Sequence, residues 1–202
     1  MGLGYQSVEA YLAGLPAGLA SHPRCMAKGS LLRDALRLRP IAPPQGSLPE
    51  PILALIEQPP AVNAWVHEVA FNAAVLAIYD EAFGGRDLDG FEDWVCDFNR
   101  DLFRRPVYRV LFALVSPSRL VALSASRWSA FHRGTSLLIL ERSEESARLR
   151  VEFPPGLFVR PMLRAISGGV RAAVTVAGAT EVVSELETIA ETSAEYSLRW
   201  NS

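Results

Sequence analysis

The sequence predicts an α+β chain: a helical N-terminal part over residues 1–133 and a β-β-α-β-β antiparallel sheet over 134–202 with one covering helix, together a single domain of 202 residues. Three observations carry this. The hydrophobic period is helical up to Gly134 and becomes two beyond it. Ala147, Leu149, Val151 and Phe153 alternate with Arg148, Arg150 and Glu152, and Tyr196, Leu198 and Trp200 repeat the pattern near the C-terminus. Between the two strand pairs lies one long helical segment, and nothing else in sequence order can cover the sheet's apolar face.

Taken in order, residues 6–20 read as a helix with Val8, Leu12 and Leu15 on one face and a break at Pro16. Residues 26–38 read as a second helix, ended by Pro40. The stretch PIAPPQGSLPEP cannot pair its backbone continuously and suits a surface connection. Residues 52–56 form at most a short helix. Residues 63–83, with Asn63 as N-cap, are apolar on nearly all sides and predict a central buried helix, which GGRDLDG stops. FEDWVCDFNRDLF sets Phe91, Trp94, Val95, Phe98 and Leu102 at helical spacing, with Asp101 and Arg105 one turn apart on the polar side. Pro106 then starts or kinks VYRVLFALV. Ser116 as N-cap, Pro117 at the first helical position and Gly134 just past the end delimit another helix, so that RWSAFHRGT forms its last turns. Strands TSLLILE and ARLRVEF flank a SEES turn, a helix ends at Gly178, and strands TEVVSELE and SAEYSLRW close the chain.

Composition narrows the partners. A formal net charge of −2 provides no basic footprint, so no nucleic acid partner is expected. No run approaches the ~20 apolar residues of a membrane span and the first residues lack a basic n-region, which places the chain in the cytoplasm, off the membrane. Cys25 and Cys96 lie far apart with no Cys/His cluster around them and read as buried free thiols, with no metal site.

Chemistry concentrates at RWSAFHRGT. Trp128 and Phe131 fall in step with Leu120 and with Leu123 or Ser124, and read as a docking stripe, with Trp128 alternatively a ligand contact. His132 and Arg133, near a helix C-terminus, each gain roughly 0.3–1 kcal/mol from the helix dipole, which is a structural reason for both. In WVHEVAFN, Phe71 stands where a zinc peptidase helix needs its second histidine, so that reading is excluded. His67 remains as a core or ligand-facing imidazole beside Trp65 and Asn72, and His22 as a surface residue. RDLDGFED lacks the acidic spacing of a calcium loop. There is no phosphate-binding glycine loop, no nucleophile elbow and no spacing that singles out a catalytic triad. Gly168 and Gly169 weaken their helix by about 1 kcal/mol each, which implies close approach of its backbone to the sheet or to a bound molecule.

The run SPSRL, RW, FHRGT together with FPPGLF, AGA and AEYSLRW resembles a myxobacterial paralogous family of unknown function. The order of elements also resembles the haem nitric-oxide-binding domains and the related 4-vinyl-reductase-like small-molecule-binding domains. The haem version of that fold would ligate iron through a histidine in the last helix before the sheet, where this chain has ALSASRW, and hold the propionates through Tyr-x-Ser-x-Arg, where it has ARLRVEF. With both motifs missing, the resemblance implies the architecture alone: no cofactor is expected, and no haem bound in that family's manner, which leaves His67 or His132 as ligand in any other arrangement.

The expected function is a non-catalytic small-molecule-binding or sensory module, its apolar pocket lying between the helices and the sheet. Trp65, His67, Phe71, Trp128, His132 and Arg133 would contact a small apolar ligand. No residue is assigned to catalysis. The alternatives are an interaction or scaffold protein that recruits a partner or a second copy through the closing strand, whose edge Arg199 blunts, and an enzyme using His132 as acid or base.

Overall fold

Residues 4–106 and 116–201 are described in the computed structural model of the chain. They run α1 (Gln6–Ala13), β1 (Met26–Lys28), α2 (Gly29–Leu38), α3 (Glu50–Glu57), β2 (Trp65–His67), α4 (Glu68–Phe83), α5 (Leu88–Phe103), α6 (Pro117–Ala122) and α7 (Ser124–Trp128). The second half continues β3 (His132–Arg133), β4 (Ser136–Arg142), β5 (Ser146–Glu152), α8 (Arg160–Val176), β6 (Thr180–Ile189) and β7 (Ser193–Asn201). The fold is α+β, and the strands after Gly134 form an antiparallel sheet in the order β4-β5-β7-β6.

Alternation decides which side of this sheet is dry. Ala147, Leu149, Val151, Tyr196, Leu198 and Trp200 are buried. Arg148, Arg150 and Glu195 face the other way and pair with one another, Arg148 at 3.0 Å and Arg150 at 2.6 Å from the Glu195 carboxylate. Helix α8 covers the dry face, packing on β6 while its other side meets α5. Polar links pin it there: the Tyr196 hydroxyl donates to the Leu163 carbonyl at 3.1 Å, and the Ser167 hydroxyl sits 2.8 Å from Ser184 Oγ and 2.9 Å from Glu92 Oε1.

The close approach expected at Gly168 falls on α5. A Cβ there would sit 2.6 Å from the Glu92 carbonyl oxygen and 3.2 Å from the Cys96 nitrogen, so the two helix backbones touch. Gly168→Ala is therefore expected to cost about 1–3 kcal/mol by overpacking, read as a fall of several degrees in melting temperature. An unchanged melting temperature would mean that α5 and α8 have room to part.

Helix α4 is buried on every side from Glu68 to Asp80, as its all-round apolar character predicts, and Gly84 ends it with φ +63°. Helix α5 follows the predicted stripe, with Phe91 and Leu102 wholly buried. Its polar pair differs, because Arg105 reaches across to the buried Asp34 at 2.9 Å. Ser116 caps α6 by accepting from the Arg119 amide at 3.4 Å, with Pro117 at the first turn. The reading of VYRVLFALV lies outside the described residues.

The structure departs from the periodicity at three short places. Met26–Lys28, Trp65–His67 and His132–Arg133 are strands, and they pair antiparallel as a second sheet in the order β2-β1-β3. Asn63 is therefore not an N-cap, and the buried helix starts at Glu68, whose amide donates to the Cys25 carbonyl at 2.9 Å. The helix expected to run to Arg133 stops at Trp128. His132 and Arg133 are in a strand, so the helix-dipole account of these two residues does not apply. The cause is tertiary: a two- or three-residue strand carries no period of its own and exists through its partners. Among the described residues no helix is long and apolar enough to cross a membrane.

Candidate functional site

A cavity of about 180 Å³ opens between α4, α5, α7 and α8, with the strand β3 at one end. Its walls are mostly apolar, including Phe71 from α4, Phe98 from α5, Trp128 from α7 and Met162 from α8.

The second sheet places the polar end. Ala27 of β1 pairs with Val66 on one side and His132 on the other, so strand register brings His132 against the first turn of α4, where Glu68 enters the core. The Glu68 side chain is wholly buried, and His132 Nδ1 lies 3.1 Å and 3.3 Å from its two oxygens across a sequence separation of 64. Among the described residues this imidazole is the carboxylate's sole donor. Burying a carboxylate is costly unless it is paired. The imidazole is fixed as well: Trp128 stacks on it at 4.3 Å and 19°, and Phe158 meets it edge-on at 6.5 Å. Trp128 is itself held by Thr135 Oγ1, which accepts from its indole N–H at 3.0 Å. With Nδ1 engaged by Glu68, the second ring nitrogen, Nε2, has no hydrogen-bond partner among the described residues.

Of the six residues expected to contact a ligand, Phe71, Trp128 and His132 line this cavity. The structure places the other three apart from it. Two cations lie over the Trp65 ring, Lys28 Nζ at 4.7 Å and the Arg133 guanidinium at 3.8 Å from its centre. His67 Nε2 sits 3.3 Å from the His22 carbonyl oxygen. Sequence reasoning missed Glu68, although an acidic residue inside the otherwise apolar run AWVHEVAF was a usable signal. It also missed Arg127, and it placed Ser124 only on the helix's docking stripe; both line the cavity from α7.

Both cysteines are buried, and burial pushes both thiols above the usual cysteine range. Among the described residues no group of three or more histidine, cysteine, aspartate or glutamate side chains is gathered where it could hold a metal ion.

No family model and no curated protein matches the sequence. The fold is similar to that of H-NOX domains. One structure, concerned with the molecular mechanism of H-NOX activation, superposes with a TM-score of 0.59 at 9% identity, over 88% of this chain and 97% of that one. An oxygen-binding H-NOX domain related to soluble guanylate cyclases, in its oxygen complex, gives 0.58 at 7% identity over 86% and 93%. A third, described as modulating haem redox potential through protein-induced porphyrin distortion, gives 0.56 at 9% identity over 85% and 96%.

These neighbours overturn the expectation that no cofactor, and no haem, belongs here. That expectation rested on two absent motifs, and at 9% identity or less the architecture persists while individual ligating positions need not. Haem therefore enters as a possible occupant. The donor set accommodates it at one point, since an imidazole whose Nδ1 is held by a carboxylate presents Nε2 as a metal-ligand arrangement does. At about 180 Å³, the cavity admits a porphyrin only with its walls displaced.

Proposed function

We propose that this chain is a non-catalytic small-molecule-binding module of sensory type, which takes a small apolar ligand into the cavity between α4, α5, α7 and α8. The observation that carries this reading is the buried Glu68–His132 pair, set in the wall of an otherwise apolar space. Ligand sites are commonly mostly apolar, with a few convergent polar groups that fix orientation. Donation from Nδ1–H to Glu68 leaves Nε2 as an acceptor, so a ligand's hydroxyl or N–H would be read there. Stacking on Trp128 fixes the plane in which that reading occurs. The size is consistent: an engineered apolar cavity of about 150 Å³ takes up benzene, and this one is about 180 Å³. The reading treats residues 1–202 as one domain, supported by a single cluster of buried side chains that runs from Tyr5 to Trp200.

The test is thermal. Benzene, toluene and indole, each raised to about 100 times its dissociation constant, would stabilise the fold by about 2.7 kcal/mol. A melting temperature indifferent to all three up to their solubility limits would defeat the reading.

Haem in the same cavity is the second reading, favoured by the carboxylate-backed imidazole and by the fold of the haem domains. His132 would be the iron ligand and Glu68 would hold its ring. Bound iron would supply a site for a diatomic gas. Titration with haemin would then produce a Soret band that is absent in His132→Phe, and no band in the wild type rejects this reading.

A further inference from the structure

We propose that the ligand is a small apolar carboxylic acid whose carboxylate is held by Arg127 and Ser124. The proposal deepens the small-molecule reading and rests on it.

Ser124 and Arg127 lie one turn apart on α7 and both line the cavity. Ser124 Oγ and Arg127 Nε are each buried and, among the described residues, neither has a hydrogen-bond partner. The Ser124 hydroxyl and one N–H of the Arg127 guanidinium are thus withdrawn from water with no acceptor among the described residues, an arrangement that folded proteins leave uncompensated in only a few places. Two other polar side chains on the cavity wall are engaged, Glu68 by His132 Nδ1 and Asn99 Nδ2 with the Val95 carbonyl at 2.9 Å.

Arg127 also stands apart from arginines such as Arg105, Arg148, Arg150, Arg164 and Arg171, each of which has a carboxylate partner. Burial lowers the Arg127 guanidinium from its usual range, with no carboxylate beside it to oppose the shift. A ligand oxyanion supplies what is missing. Its two oxygens accept from the guanidinium and the hydroxyl together, and charge-assisted bonds of this kind are the stronger ones. Glu68 accepts from His132 and does not pair with the Arg127 guanidinium. The apolar part of the acid would lie against Phe98 and Trp94 on the α5 wall.

Phenylacetate and 2-phenylethanol share a ring and a chain length and differ in the acid, which makes them a decisive pair. Trp94 and Trp128 line the cavity, so tryptophan fluorescence can report binding, with calorimetry giving the constants. Phenylacetate is expected to bind at least about tenfold more tightly than the alcohol. In Arg127→Gln that preference should fall to parity while the alcohol's constant stays within about twofold. Ser124→Ala should lower the preference part of the way, which provides a second variant that leaves the charge in place. Equal affinities in the wild type, or an acid preference that survives Arg127→Gln, overturn the proposal and leave the cavity reading standing. Failure of both compounds to bind overturns the proposal, and the cavity reading falls with it when benzene, toluene and indole also leave the melting temperature unchanged.

Discussion

His132→Ala is expected to destabilise the fold by about 3–5 kcal/mol, the usual cost of leaving a buried carboxylate without its partner. Glu68 has no exposed surface, and its carboxylate has no other donor among the described residues, so removal of the imidazole strands a charge or forces a proton onto it. Against a total stability of about 5–15 kcal/mol, this is enough to unfold a marginal chain. The double variant Glu68→Leu with His132→Leu should recover most of the loss, because apolar groups of similar volume often replace a buried pair at little cost. Urea unfolding of the two single variants and the double variant would give the coupling directly. A single-variant cost below about 1 kcal/mol would show that the pair is wetter than its burial indicates.

Phe91→Ala is expected to cost about as much, 3–5 kcal/mol, for a different reason. Its ring is wholly buried and touches those of Tyr79 at 5.0 Å, Phe83 at 5.5 Å and Trp94 at 5.8 Å, joining α4 to α5. Truncation removes apolar contact and leaves a void that these aromatic neighbours fill only in part. Guanidinium unfolding followed by tryptophan fluorescence would measure it. A loss under about 1.5 kcal/mol would mean that the aromatic cluster collapses freely around the gap.

These two residues mark the limit of what the sequence makes legible. Phe91 belongs to a helical stripe that can be counted along the chain, and the same counting finds α5, the alternating strands and the long covering helix. The pairing of Glu68 with His132 depends on β1, β2 and β3, strands of two or three residues whose existence is decided by one another. Reading 63–83 as one helix groups Trp65 and His67 with Phe71. A strand over 65–67 instead buries Val66 and sends its two neighbours to the opposite face. The same alternation separates Arg133 from His132 and carries it onto Trp65. Adjacency in sequence misled wherever the local period was two and helical spacing was assumed. The cofactor expectation failed at another level, since motif matching tests ligand positions and the comparison of folds tests only the frame around them.

Gly168 gives α5 and α8 a shared backbone contact with no side chain between them, and the next residue, Gly169, belongs to the cavity wall. On the proposed reading, a guest would therefore meet two helices that are already in backbone contact along this wall. The short pieces α6 and α7 would be the simpler walls to shift for anything larger than the resting void, and α7 carries Trp128, Arg127 and Ser124. The side chains that would read the guest are thus mounted on the part of the chamber that would yield to admit it, which would turn occupancy into displacement.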